Sequence, residues 1–278
     1  MADPLRIMVT NDDGIDSVGL HVLARAMRPF GEVTIIAPDS EYSGASAAIG
    51  ALFEERPAVH TERVEGIDTA WSVSGPPALC VFYARLGAFG PAPDLIVSGI
   101  NPGANVGRSV YHSGTIGACL TGRTGGIPGI AVSQAVTDWG VEGQGWGEMV
   151  AKMKWDTAAE VAAVAVEAFL ASDLPGVGVL NLNVPNVETH ELAGWQWSDI
   201  GATPTRSMVN VLLEPKPGHE GSFDVKMDYG DTGVAPDPAT DTGAMLDDKV
   251  SLTWLSTITP LRWDAPEFDR RFDDLVAK

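Results

Sequence analysis

At 278 residues with 45% apolar side chains, the chain can bury a sizeable core in one large domain or two modest ones. A formal charge of −19 excludes non-specific binding to nucleic-acid backbones and obliges any phosphate chemistry to occur where the charge is locally reversed. Two cysteines cannot build a disulfide framework, and the longest nearly apolar stretch, residues 161–171, contains Glu167 and is too short to cross a bilayer.

Residues 5–10 (Leu-Arg-Ile-Met-Val-Thr) are an apolar run bounded by turn residues, expected as a buried strand. Leu20, Leu23, Met27 and Phe30 follow at helical spacing, with Asp16 or Ser17 as cap and Gly31 as stop. Residues 32–37 predict a second strand, ended by Pro38 and Asp39, and residues 94–98 and 129–133 two more, with a helix between them from about Thr115. Strand–helix–strand order implies right-handed crossovers. The expected fold is therefore α/β, a doubly wound, mostly parallel, Rossmann-like sheet. A glycine-rich loop at 140–147 precedes one long amphipathic helix over 148–171, with Met149, Met153, Val161, Ala165 and Phe169 near one face. Residues 177–183 read as another sheet strand. Residues 214–245, rich in Gly, Pro and Asp, read as long loops around short strands such as 223–227, followed by a strand at 249–254 and a helix at 266–277. The expected organisation is a main core over 1–190, with 191–278 a C-terminal hairpin or arm that completes the same domain.

Ligands of open parallel sheets bind at the carboxyl ends of the strands, so the loops that follow them carry the candidates. The first holds Asn11-Asp12-Asp13-Gly14, the second Asp39 through Ser46, the third Gly99 through Gly107. Two carboxylates about 4 Å apart repel by about 4 kcal/mol at an effective dielectric of 20, a term that a divalent cation reverses. Asp12, Asp13, the Ser43 hydroxyl and the Asn101 amide oxygen supply hard oxygen donors only, which suits Mg²⁺, Mn²⁺ or Ca²⁺. An ordinary turn, with one aspartate capping the next helix, fits Asp-Asp-Gly as well. Gly44-Ala45-Ser46 and Ser113-Gly114-Thr115 are small-residue turns able to approach an anion, the second at a helix start; a plain N-cap explains it equally. Residues 95–137 contain no Asp or Glu where the chain average predicts about six, but hold Arg108 and Arg123; a buried loop-rich segment would look the same. His112 is a possible proton donor. No dinucleotide fingerprint follows the first strand, and the chain carries no Walker lysine pattern, no Gly-x-Ser-x-Gly elbow and no zinc-ligand spacing.

Three ordered motifs together resemble the SurE survival-protein family of nucleotidases. They are Val9-Thr-Asn-Asp-Asp-Gly-Ile-Asp16, then Ala37-Pro-Asp39 through Ser43-Gly-Ala-Ser46, then Val97-Ser-Gly-Ile-Asn101 continuing through Gly103, Asn105 and Gly107 to Ser113-Gly-Thr115. Weaker matches run through Leu180-Asn-Leu-Asn-Val-Pro185 and at Thr240-Asp241 with Val250-Ser251. The resemblance implies a phosphomonoester hydrolase for nucleoside monophosphates, with Asp12 and Asp13 as the catalytic pair, either as ligands to the metal that activates water or with one of them a covalent nucleophile. Asp12, Asp13, Ser43 and Asn101 would hold one divalent ion per subunit, Mg²⁺ or Mn²⁺. Gly44, Ser46, Asn105, Ser113, Gly114 and Thr115 would line the phosphate pocket. A cytoplasmic homodimer or homotetramer that binds neither membrane nor polymeric nucleic acid is expected. Ser40, Tyr42, Ala47, Pro76 and Leu79 depart from the family pattern at positions expected on the pocket rim. The changes at Tyr42, Ala47, Pro76 and Leu79 motivate one alternative, a catalytically silent metal–nucleotide binder, and a phosphatase for a specialised metabolite is a second.

Overall fold

A computed structural model describes residues 4–50, 56–136, 146–174, 176–202, 206–231, 234–256 and 266–276. In chain order its main elements are β1 (Arg6–Thr10), α1 (Val18–Met27), β2 (Glu32–Pro38), β3 (Val59–Val64), β4 (Ile67–Val73), α2 (Pro77–Arg85) and β5 (Leu95–Pro102). These are followed by α3 (Gly114–Thr124), β6 (Gly129–Gln134), α4 (Trp146–Val150), α5 (Trp155–Ala171), β7 (Val179–Val184) and β8 (Trp195–Trp197). The chain continues with β9 (Arg206–Pro215), β10 (Phe223–Asp231), α6 (Asp241–Leu246), β11 (Val250–Leu255) and α7 (Pro266–Val276).

The described strands form a nine-stranded sheet in the order β3-β4-β2-β1-β5-β6-β7-β11-β8, and a separate β9–β10 hairpin. From β4 to β7 every pairing is parallel, whereas β3 and β11 join antiparallel. This is the doubly wound α/β architecture expected from the alternation of elements. Because side chains alternate across a strand, β1 feeds both layers. Ile7 and Val9 pack with Leu20, Leu23 and Met27 of α1 and with Ala158, Ala162 and Val166 of α5. Met8 points the other way, into Leu79 and Cys80 of α2 and Ile116 and Cys119 of α3.

Three expectations need correction. The single helix over 148–171 is two, broken between Val150 and Trp155, and its buried face runs through Ala158, Ala162, Val166 and Phe169 rather than Val161 and Ala165. Most of the glycine-rich loop lies outside the described residues, but Gly147 is helical. The stretch 214–245, read as long loops around short strands such as 223–227, has a longer strand there, β10, which forms half of a hairpin by pairing with β9 from Arg206 to Pro215. The elements β3, β4 and α2 had no counterpart in the sequence reading.

Candidate active site

The strand after β1 lies on one side of it and β5 on the other, so β1 marks the point at which the winding reverses. A crevice opens there, at the carboxyl ends of β1, β2 and β5. Backbone bonds stitch its loops together. The Ile15 N–H donates to Pro38 O at 2.8 Å and the Tyr42 N–H to Asp12 O at 2.7 Å. The second loop is also fixed to the turn before α3, since the Ser46 N–H donates to His112 O at 3.1 Å and its hydroxyl to Tyr111 O at 2.9 Å. Gly117 permits this approach, because a Cβ there would collide with the Ser46 carbonyl. The third loop leaves β5 after a register shift between Ser98 and Asn101 that includes a cis Gly99–Ile100 peptide.

Asp12 is 3% exposed, and its Oδ1 accepts the Thr115 hydroxyl at 2.7 Å. It lies directly on Gly114, where a Cβ would come 2.7 Å from Oδ2 and 2.8 Å from the aspartate Cβ, so any larger residue would push the carboxylate away. Burial raises the Asp12 carboxyl above its ordinary range, opposed by the Thr115 hydroxyl and the Gly114 and Thr115 N–H groups, which favour the charge. Asp13 is more perturbed. Burial first, then repulsion from Asp12 and Glu41, pushes it up from 3.8 to about 8. Its Oδ2 is buried and has no partner. Thr10 Oγ1 at the end of β1, Asn11 Oδ1 just after it and Ser98 Oγ within β5 are also buried and unpartnered. Such atoms cost free energy unless something polar or charged meets them.

The remaining oxygen donors differ in readiness. The Asn101 Nδ2 is spent on Gly103 O at 2.6 Å, which leaves its Oδ1 as the acceptor. Ser43 is exposed and donates to Glu41 Oε1 at 2.8 Å. Among the described residues no three His, Cys, Asp or Glu side chains gather as a metal cage, so a cation here would depend on the mixed Asp, Ser and Asn set. That set does fit a hard divalent ion. All its donors are oxygens, and the local excess of negative charge is what such an ion would relieve.

The phosphate candidates cluster around the first turn of α3, but most use their polar groups within the protein. Ser113 is the N-cap and accepts the Ile116 N–H at 3.1 Å, Thr115 serves Asp12, and Ser46 ties down its own loop. The Asn105 Nδ2 donates to Ser133 Oγ at 2.8 Å and to Thr115 Oγ1 at 3.5 Å. Gly44 is exposed at φ +81 with open space around it. Arg108 and His112 are both exposed.

The sequence reading assigned no role to Asn181, Asn183 or Asp241. Asn183 Oδ1 accepts the Asn105 N–H at 2.7 Å, while the Nδ2 atoms of Asn181 and Asn183 reach Asn105 O at 2.9 and 3.2 Å. The available signal was two asparagines two residues apart in an otherwise apolar strand, which places both on one buried face.

The sequence profile described as Survival protein SurE matches residues 7–207. The chain belongs to the SurE family. It is 33% identical to the 5'-nucleotidase SurE of Coxiella burnetii (strain Dugway 5J108-111) over 277 residues, covering 98% of this chain and 94% of that protein. It is also 33% identical to the 5'-nucleotidase SurE of Methylococcus capsulatus over 270 residues, 96% and 94% of the two chains. The crystal structure of the SurE protein from Aquifex aeolicus superposes with a TM-score of 0.72 at 27% identity, covering 97% of this chain and 99% of that one. One departure from the SurE pattern proves structural. Leu79 is 2% exposed within the core and so does not lie on the crevice rim as expected, whereas Pro76 is the half-buried N-cap of α2.

Proposed function

We propose that the chain is a divalent-metal-dependent phosphomonoester hydrolase acting on nucleoside monophosphates. The observation that carries this reading is the unpartnered, buried Asp13 Oδ2 beside buried Asp12, at the sheet's topological switch point. Asp12, Asp13, Ser43 and Asn101 would hold one Mg²⁺ or Mn²⁺. When bound, the ion supplies Lewis-acid polarisation of a phosphoryl oxygen and a lowered pKa for an attacking water. The chain's own contribution is positional. Thr115 and Gly114 fix Asp12 in its ionised orientation. The start of α3, lined by Ser113, Gly114 and Thr115 with Gly44, Ser46 and Asn105 beside it, provides a fixed positive dipole for the phosphate side. With Oδ1 engaged by Thr115, Asp12 is better placed as a ligand than as a nucleophile.

Placing Leu79 in the core removes one of the four departures that favoured a silent binder. Turnover of a panel of nucleoside monophosphates, sugar phosphates and an aryl phosphate, with Mg²⁺, Mn²⁺ or chelator, tests the reading. Metal-restored hydrolysis is expected, and no turnover under any metal condition would overturn it.

The proposal extends to assembly. Residues 1–190 form the catalytic core, and 191–278 complete the same domain while carrying the oligomer contacts. One hairpin face aligns Val211 with Met227, Leu213 with Val225 and Pro215 with Phe223, and all six side chains are exposed. The other face is more polar, pairing Asn210 with Asp228 and Glu214 with Asp224. A lone two-stranded hairpin is marginal in water, so this apolar ladder suits burial against a second copy. The expected state is a homodimer or homotetramer, and Val225→Glu is expected to shift sedimentation toward a smaller species; an unchanged sedimentation coefficient would refute this contact. Among the described residues no helix is long and apolar enough to cross a membrane. The buried free thiols of Cys80 and Cys119 support a cytoplasmic setting.

A further inference from the structure

We infer that Asp241, at the start of α6, is a positioning residue that fixes the active-site loop for phosphate through the Gly107 N–H. The inference rests on the phosphatase reading above. Asp241 is fully buried, and among the described residues it makes no ion pair. A buried carboxylate needs donors, and the chain supplies them from three segments. Oδ1 accepts the Gly201 N–H at 2.8 Å, the Thr242 N–H at 2.7 Å and the Thr242 hydroxyl at 3.3 Å. Oδ2 accepts the Gly107 N–H at 2.8 Å, across 134 residues of sequence.

The two oxygens therefore have different tasks. Oδ1 closes the stem from which the β9–β10 hairpin emerges, where Asp199 and Thr240 also bridge and the Asp241 N–H donates to Asp199 O at 2.8 Å. Oδ2 reaches the loop after β5. Two residues before Gly107, Asn105 has both backbone groups held by the Asn183 side-chain amide. The 105–107 segment is thus pinned at both ends, and the Asn105 side chain is held toward Thr115 and Ser133. Gly107 itself sits at φ +55, where a Cβ would come 3.0 Å from Gly201 O, so loop and stem are in close contact. Loss of the Oδ2 bond frees one end of this segment without touching Asp12, Asp13, Ser43 or Asn101.

Asp241→Asn is a selective lesion. An amide oxygen can keep the Gly201 and Thr242 bonds, but its NH₂ would then face the Gly107 N–H donor to donor. In the full chain with Mn²⁺, KM for a nucleoside monophosphate and Ki for inorganic phosphate are both expected to rise about tenfold, as loss of one hydrogen bond to a charged group allows. The Mn²⁺ Kd is expected to stay within about twofold of the parent, since none of the four metal candidates is touched. Unchanged KM and Ki would overturn the inference. So would metal affinity and kcat collapsing together, which is the mark of a general structural role. If D241N does not fold, Gly201→Ala carries the same expectation, because its Cβ would come 2.8 Å from Thr242 Oγ1 and 3.1 Å from Asp241 Oδ1 and displace the carboxylate. Amide exchange in the parent protein is an independent readout. Gly107 is expected to be protected without metal or substrate, and exchange at the rate of an open loop would overturn the clasp. Should the parent hydrolyse nothing in the panel, the phosphatase reading fails, while Gly107 exchange and phosphate binding still decide the role of Asp241.

Discussion

Replacing Asp13 with Asn should stabilise the metal-free protein while abolishing its response to metal. Burial and the neighbouring Asp12 and Glu41 carboxylates raise Asp13 from 3.8 to about 8, so at pH 7 the folded chain holds a group whose ionisation it opposes. The gap between pH 7 and the ordinary value of 3.8 is 3.2 units, and at about 1.4 kcal/mol per unit the destabilisation is about 4 kcal/mol at most. A neutral amide removes that cost but buries an NH₂ group that can cost about 1–3 kcal/mol if it finds no acceptor, so a net gain of about 1–3 kcal/mol is expected. The sign follows from proton binding. A raised folded-state pKa means that the native chain binds more protons than the unfolded chain between pH 4 and 8, so the parent loses stability as pH rises through that window. The variant's advantage should therefore be absent near pH 4 and grow by about 1.4 kcal/mol per unit up to about pH 8. Denaturant unfolding of both proteins in chelator at pH 4, 5.5 and 7, repeated with Mn²⁺, measures all of this. Mn²⁺ should stabilise only the parent, by mass action on the folded state. A variant no more stable than the parent at pH 7, or one with the parent's Mn²⁺ response, would show that Asp13 is neither the strained carboxylate nor a ligand.

Gly114→Ala should lower metal-dependent turnover by about a hundredfold by displacing Asp12, with the helix content retained in circular dichroism. Thr115→Val removes the 2.7 Å donor to Asp12 Oδ1, so the Asp12 carboxyl rises further and the pH midpoint of Mn²⁺ binding should move up; a downward or absent shift contradicts the assignment. Leu79→Ala should destabilise by about 2–5 kcal/mol in denaturant unfolding, yet leave kcat/KM of the folded enzyme unchanged, because the side chain lies in the core rather than on the crevice rim.

The sequence by itself determined the parts of this protein that are written locally. Residues 5–10, 32–37 and 129–133 are apolar runs that must be buried on both faces, which makes them central parallel strands, and the motifs that follow the strands pointed to the crevice residues before any contact was known. The β3–β4 hairpin escaped because its outer strand, Val-His-Thr-Glu-Arg-Val, is mostly exposed at the sheet edge and buries too little to impose a period. Likewise, the described side chains of β9, Asn210 to Pro215, are all exposed and leave no buried face to mark them as a strand. The break before α5 arises from packing, with Met153 buried outside the helix. Tertiary structure alone decided how the site is held. Thr115 and Ser46 turn their hydroxyls to neighbouring loops, and the bonds between Thr115 and Asp12, Asn105 and Asn183, and Gly107 and Asp241 span 103, 78 and 134 residues. Such bonds leave no periodic trace, because a single donor and acceptor meet only after the strands between them have been ordered across the sheet.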